Sequence, residues 1–383
     1  MKKFKSLMLA ALASAALAAP SFAGGHGSNL VMTGEVVVGM KMTNSTPDGG
    51  DTTTVQDTYI GDVNAKLTSA VNDSASYAFE FLKDDEGAGK VSFEMTGTAT
   101  SGDNSIKAFA DLSDITGTMG YGDVYIQGAN KTMTVKVGQF GSSENYAGGM
   151  GNFQASDFGV ANIEHITIAG FQGIQANVDA GDIQLEAAVP WMKANGDSAD
   201  SIAAGTPDGN AYALTKTGGN KVDTNVTGIR PVIKAALGSV NVSATFYTLS
   251  FSPQTSGVDT DDKSDTAFQL MGNVAAGAAT VGLGYTSKTT KEGETETTPN
   301  TLNGYVQVAL GGGTSVGASF NILGDGAEED ETKVTRINAS YNTPFFVENV
   351  TLKLGAGTST ASSDVDGKGG SGTALGASWN YGF

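Results

Sequence analysis

Cysteine is absent from the 383 residues, and histidine nearly so, with 2. Without cysteine there is no disulfide scaffold, no thiol nucleophile and no thiolate zinc site. His26 and His165 lie far apart and lack Cys partners, which makes a poor metal centre. Arginine is equally scarce, with Arg230 and Arg336 the only two in the chain. Long apolar runs are missing too. Beyond residue 23 no stretch approaches the ~18 apolar residues of a membrane-spanning helix.

Positive charge is the next shortage. The chain has 40 acidic residues against 22 basic ones. Three of the basic residues, Lys2, Lys3 and Lys5, open the sequence ahead of the apolar run Leu7 to Ala19 and the tripeptide "SFA". That order reads as a secretory signal peptide over 1–23, with small residues Ser21 and Ala23 before a cut at Gly24. Residues 24–383 then hold 40 acids against 19 basic residues, a net charge of −21. A nucleic-acid partner is excluded at that balance.

What the sequence does contain is glycine and alternation. The 53 glycines are about twice the usual share of roughly 7%. Apolar residues recur at every second position rather than in helical spacing. Leu30, Met32, Val36, Val38, Met40 and Met42 share one strand face, opposite Thr33, Glu35 and Lys41. The sets Val240/Val242/Ala244/Phe246 and Val316/Ala318/Phe320/Ile322 repeat the pattern, and Arg230, Lys234, Arg336 and Lys353 fall on the polar faces. The last five residues place Trp379, Tyr381 and Phe383 on one face.

Connections alternate between short and long. The short ones, such as "GANK" (128–131) and "DAGD" (179–182), suit tight turns. The long ones are 44–57, 139–163, 190–225, 251–264, 288–300, 324–331 and 359–372, and they hold most of the acids. Short turns at one end and long polar loops at the other describe an all-β, antiparallel transmembrane barrel. The expected strands are 29–43, 58–69, 75–83, 90–99, 105–112, 122–128, 132–138, 164–178 and 182–189, then 226–237, 239–250, 265–275, 278–287, 301–310, 314–323, 332–342, 349–358 and 373–383. This even set puts every long connection on one side, with strand eighteen closing on strand one. The terminal aromatics Trp379, Tyr381 and Phe383 then face lipid at the membrane interface and close the barrel.

The stretch "YGDVYIQGANKTMTVKVGQFGSSENYAGGMGNF" (121–153) resembles the general diffusion porins of Gram-negative outer membranes, in which a "YvgL–G–fG–tvtlGrq" hairpin precedes a long third loop. The resemblance implies one barrel domain over 24–383, an outer-membrane location and a constriction loop at about 139–163 folded into the lumen. It also implies a homotrimer, handled by the barrel-assembly machinery and bordered by lipid and lipopolysaccharide. The chain departs from the family in two ways. Gln139 stands where arginine is common, and 90–112 adds a hairpin, so the wall has sixteen strands if that hairpin is a loop excursion and eighteen if it is not.

For such a channel the constriction is expected to set Glu144 and Asp157 of the loop, with Glu164 as an outsider, against Lys41, Lys66 and Lys136 of the wall. Each of them, taken alone, reads equally as a solvated lumen residue. No cofactor is expected, although the acidic loops Asp259–Asp265 and Asp325–Glu331 suit structural Ca2+ or Mg2+. No nucleophile stands beside a base, and His165 shares its face with Thr167 and Ala169, so no enzyme is expected. The expected function is passive diffusion of small hydrophilic solutes and ions, cations preferred. The alternatives are an eighteen-stranded selective channel, marked by an aromatic track, and a surface structural or adhesive β-protein.

Overall fold

Alternating sequences cannot bury both faces of a strand in one core, so a sheet built from them has one wet face and one dry face. The computed structural model shows such a sheet closed on itself. It describes residues 30–72, 74–83, 89–113, 120–140, 171–194, 200–202, 214–216, 224–253, 263–326, 332–362 and 369–382. The first nine strands are β1 (Leu30–Pro47), β2 (Thr53–Asn72), β3 (Ala75–Lys83), β4 (Gly89–Ser101), β5 (Asn104–Ser113), β6 (Gly120–Ala129), β7 (Met133–Phe140), β8 (Phe171–Asp179) and β9 (Ile183–Ala194). After a three-residue pair, β10 (Asp200–Ile202) and β11 (Leu214–Lys216), come β12 (Thr224–Leu237), β13 (Val240–Pro253), β14 (Lys263–Ala276) and β15 (Ala279–Glu292). A short return, β16 (Thr295–Thr297), precedes β17 (Asn300–Gly311), β18 (Thr314–Gly324), β19 (Lys333–Phe345), β20 (Val347–Ser362) and β21 (Gly370–Gly382).

Each wall strand pairs antiparallel with its neighbours in sequence, β9 joins β12, and β15 joins β17. The 19-stranded sheet includes β16 as a hairpin return on β15, so eighteen strands make the wall. The ring closes where β1 meets β21, in register from Glu35↔Gly382 to Pro47↔Gly370. Closure leaves no sheet edge to hydrocarbon, which is what permits β-structure to span a membrane. The β4–β5 hairpin lies within the wall, paired to β3 on one side and β6 on the other, and decides the strand number for eighteen.

Counted along the wall, odd-numbered strands end at one rim of the barrel, and the described tight turns lie at the other, as the alternation of loop lengths predicts. At one such turn Gly181 takes φ +78° and donates its N–H to Asp179 Oδ1 at 3.0 Å, a conformation that L side chains rarely adopt. Several expected loops are in large part strand. Residues 44–57 are mostly the tip of the β1–β2 hairpin, and 288–300 are the tip of β15 with β16. Thr and Ser carry the ladder there, because backbone pairing does not require apolar side chains. β7 likewise runs on to Phe140, so Gln139 and Phe140 belong to the wall. The expected signal segment 1–23, His26, His165 and residues 141–163 lie outside the described residues.

The outward face is apolar. Val38, Met40, Phe79, Phe81, Phe246, Phe268, Leu270, Leu283, Ile337, Leu354 and Leu375 are all exposed, while the residues between them on the same strands are polar, small or charged. Trp379 and Tyr381 stand on this outward face beside Val38 and Val36 of β1, so the terminal aromatics lie on the seam. Phe383 lies outside the described residues. An apolar exterior around a polar interior is a transmembrane barrel of the outer-membrane type.

Candidate functional site: the charged lumen wall

The inward faces of β2 to β7 bring Lys66 and Lys136, which sequence alternation had assigned to polar faces, together with side chains that it had not singled out. Lys66 on β2 reaches past β3 to Glu94 on β4, at 2.7 Å. That pair spans two strand spacings, about 10 Å of sheet, which only long side chains bridge. Glu80 of β3 is in register with Lys66, and Asp111 of β5 is directly opposite Glu94. With Asp123 on β6, four successive strands each present a carboxylate to the same side.

Below the carboxylates lies an aromatic stack. The rings of Phe109 and Tyr125 are stacked at 5.1 Å with 25° between their planes, and Phe140 meets Tyr125 edge-on at 6.0 Å. Lys136 Nζ stands 3.6 Å from the centre of the Tyr125 ring and 4.4 Å from that of Phe140, and the residue is 1% exposed. Lys107 Nζ lies 5.2 Å from the Phe109 ring and 5.4 Å from the Tyr125 ring. These are cation–π distances. Gly138 makes the stack possible. It sits at φ +143° opposite Tyr125, between Lys136 and Phe140, and a Cβ there would strike the Val124 carbonyl and the Tyr125 backbone. The β4–β6 wall and Lys136 line an open cavity of about 530 Å³, bordered by Glu94, Lys107, Phe109, Asp111, Asp123 and Tyr125, among others.

Further round the wall, from β9 to β15, charge is held differently. Arg230 of β12, 0% exposed, donates to Glu186 of β9, and Lys234 lies in their field. Lys288 of β15 meets Asp265 of β14 at 3.0 Å, with both side chains fully buried. Gln269 donates to Thr286 at 2.9 Å one step further along the same two strands.

Of the wall lysines named from sequence, Lys66 and Lys136 therefore reach the same face, one in an ion pair and the other against aromatic rings. Lys41 stands apart on β1, in register with Asp57 and Gly376. Glu144, Asp157 and Glu164 lie outside the described residues. Sequence reading missed Glu186, Asp265 and Lys288 as partners, and Phe140 as a ring of the stack. The parity of Glu186 with Gln184 and Ala188, between outward Leu185 and Val189, was the available signal.

No protein-family model matches the chain, and no curated protein matches it either. Solved structures do. An anion-selective porin from Comamonas acidovorans is 12% identical and aligns over 93% of this chain and 100% of its own, with a TM-score of 0.52. The in-vitro folded OmpT, an outer membrane protein of Vibrio cholerae, is 11% identical over 94% of this chain and 99% of its own, with a TM-score of 0.50. At such identities it is the backbone path that is shared. The chain thus has the fold of the outer-membrane porins.

Proposed function

We propose that this protein is a passive channel of the bacterial outer membrane, through which small hydrophilic solutes and ions diffuse with cations preferred. The observation that carries the reading is the inverted polarity of the barrel, with Glu80, Glu94, Asp111 and Asp123 on four successive inward strand faces. A hydrated lumen replaces an unfavourable crossing of hydrocarbon, and fixed carboxylates lower the energy of a passing cation while raising that of an anion. The net charge of −21 over residues 24–383 acts in the same direction.

In this reading residues 139–163 set the size limit, with Gln139 and Phe140 anchoring them to the wall and Glu144 and Asp157 adding negative charge. The protein works as a homotrimer in contact with lipid and lipopolysaccharide, placed there by the barrel-assembly machinery, and it catalyses no reaction. Acidic loops bridged by Ca2+ or Mg2+ to lipopolysaccharide phosphates belong to the same proposal.

Single-channel conductance of detergent-purified protein in a planar bilayer under a salt gradient tests it. Large steps with a cation-selective reversal potential are expected. Anion preference would keep the channel and discard the electrostatics. Absence of steps from demonstrably folded protein would overturn the channel in favour of a structural or adhesive surface β-protein.

A further inference from the structure

Lys107, Phe109 and Asp111 occupy alternate positions of β5 and line one cavity of about 530 Å³. Their surroundings are unusual in two respects. Lys107 approaches aromatic rings and is in no ion pair among the described residues. Asp111 lies directly opposite Glu94, a second carboxylate, and Lys66 binds Glu94 rather than Asp111. Like charges directly opposite across a ladder destabilise it. One Asp111 carboxylate oxygen is moreover buried without a hydrogen-bond partner. Lys107 and Asp111 do not neutralise one another, because four residues of strand hold their Cα atoms about 13 Å apart.

The wall thus offers an ammonium at one end, a carboxylate at the other and a ring stack between them. We propose that this face is a binding subsite for short zwitterionic peptides: the peptide carboxylate on Lys107, its ammonium on Asp111, and its middle on Phe109, which the buried Tyr125 backs. The proposal deepens the channel reading and rests on it for how the peptide arrives. Other solute classes use less of the face. A simple cation satisfies Asp111 and leaves Lys107, an anion does the reverse, and a neutral sugar engages neither charge. A free α-amino acid carries both charges on one carbon. An extended dipeptide separates its termini by about 7 Å, which suits the gap left once both side chains reach inward. The bound ammonium also relieves the Glu94–Asp111 repulsion.

The test uses the full-length folded barrel and the dipeptide Ala-Phe. In planar bilayers, millimolar Ala-Phe is expected to block the open-channel current reversibly, with N-acetyl-Ala-Phe-amide about tenfold weaker because both charge-assisted contacts are gone. Lys107→Gln and Asp111→Asn are each expected to weaken the block by about fivefold or more, while circular dichroism of the detergent-folded variants shows that they fold. Equal block by the capped peptide, or unchanged block in both variants, overturns the subsite. Equilibrium dialysis of Ala-Phe against detergent-folded protein separates the two readings. Retention that both variants lose keeps the subsite even if no conductance is found. Conductance without retention or block removes the subsite and leaves the channel.

Discussion

The wall at β13–β15 and the wall at β4–β7 hold their charged side chains in opposite ways. At β14–β15 each charge has its complement on the adjacent strand. Lys288 and Asp265 are both fully buried, and Gln269 and Thr286 close the next rung. At β4–β6 Glu94 faces Asp111, Lys66 reaches Glu94 from two strands away, and Lys107 lies against rings. The first arrangement is self-sufficient and serves stability. The second leaves charge directed into a cavity, where a passing solute can use it. Polar lumen residues are not interchangeable, and their function follows from whether the adjacent strand has already neutralised them.

The largest expected effect lies on the self-sufficient side. Asp265→Ala removes the carboxylate that faces the buried Lys288 ammonium and is expected to lower stability by about 3–5 kcal/mol, read from denaturant unfolding in detergent by tryptophan fluorescence. The double variant Asp265→Ala with Lys288→Met should recover more than half of that loss, and cation selectivity should not change. A recovery below half would mean that the pair is not the source of the stability.

Next comes the support of the open wall. Gly138→Val places a β-branched side chain at φ +143° against the Val124 carbonyl, and strain of this kind costs about 1–3 kcal/mol. Gly128→Val, one turn of the same hairpin away, meets no atom within 4 Å and should stay within about 0.5 kcal/mol of the parent. Equal melting temperatures for the two variants, by circular dichroism, would remove Gly138 as the device that seats Tyr125.

The smallest effect on stability, and the most informative for permeation, belongs to Lys66→Gln. Its ion pair is partly exposed, at 34% and 22% for the two side chains, so the loss should stay under about 1 kcal/mol. Glu94 is then freed, and the reversal potential in a salt gradient should move toward stronger cation selectivity. A shift toward anions would show that Glu94 and Asp111 do not face the permeation path.

Much of this was legible from the chain alone, for a physical reason. In a membrane barrel each strand faces water on one side and lipid on the other, so side-chain alternation records orientation directly. All eighteen expected strands correspond to wall strands, and the polar faces that carry Lys41, Lys66, Lys136, Arg230 and Lys234 are the inward ones. Trp379 and Tyr381 proved to lie on the outward face at the closing seam for the same reason. Strand ends were less legible. Backbone pairing continues through threonine- and serine-rich hairpin tips such as β15–β16, where no apolar period marks it.

Tertiary structure alone decided the rest. Alternation is a property of one strand, whereas pairing depends on register between strands, which no single segment encodes. Whether 90–112 joined the wall was settled by the ladders that β4 and β5 form with β3 and β6. Register put Glu94 opposite Asp111, and sheet geometry let Lys66 reach past β3. Gly138 could be recognised as the seat of Tyr125 only once β6 lay beside β7, because the contact that requires a missing Cβ is made by another strand.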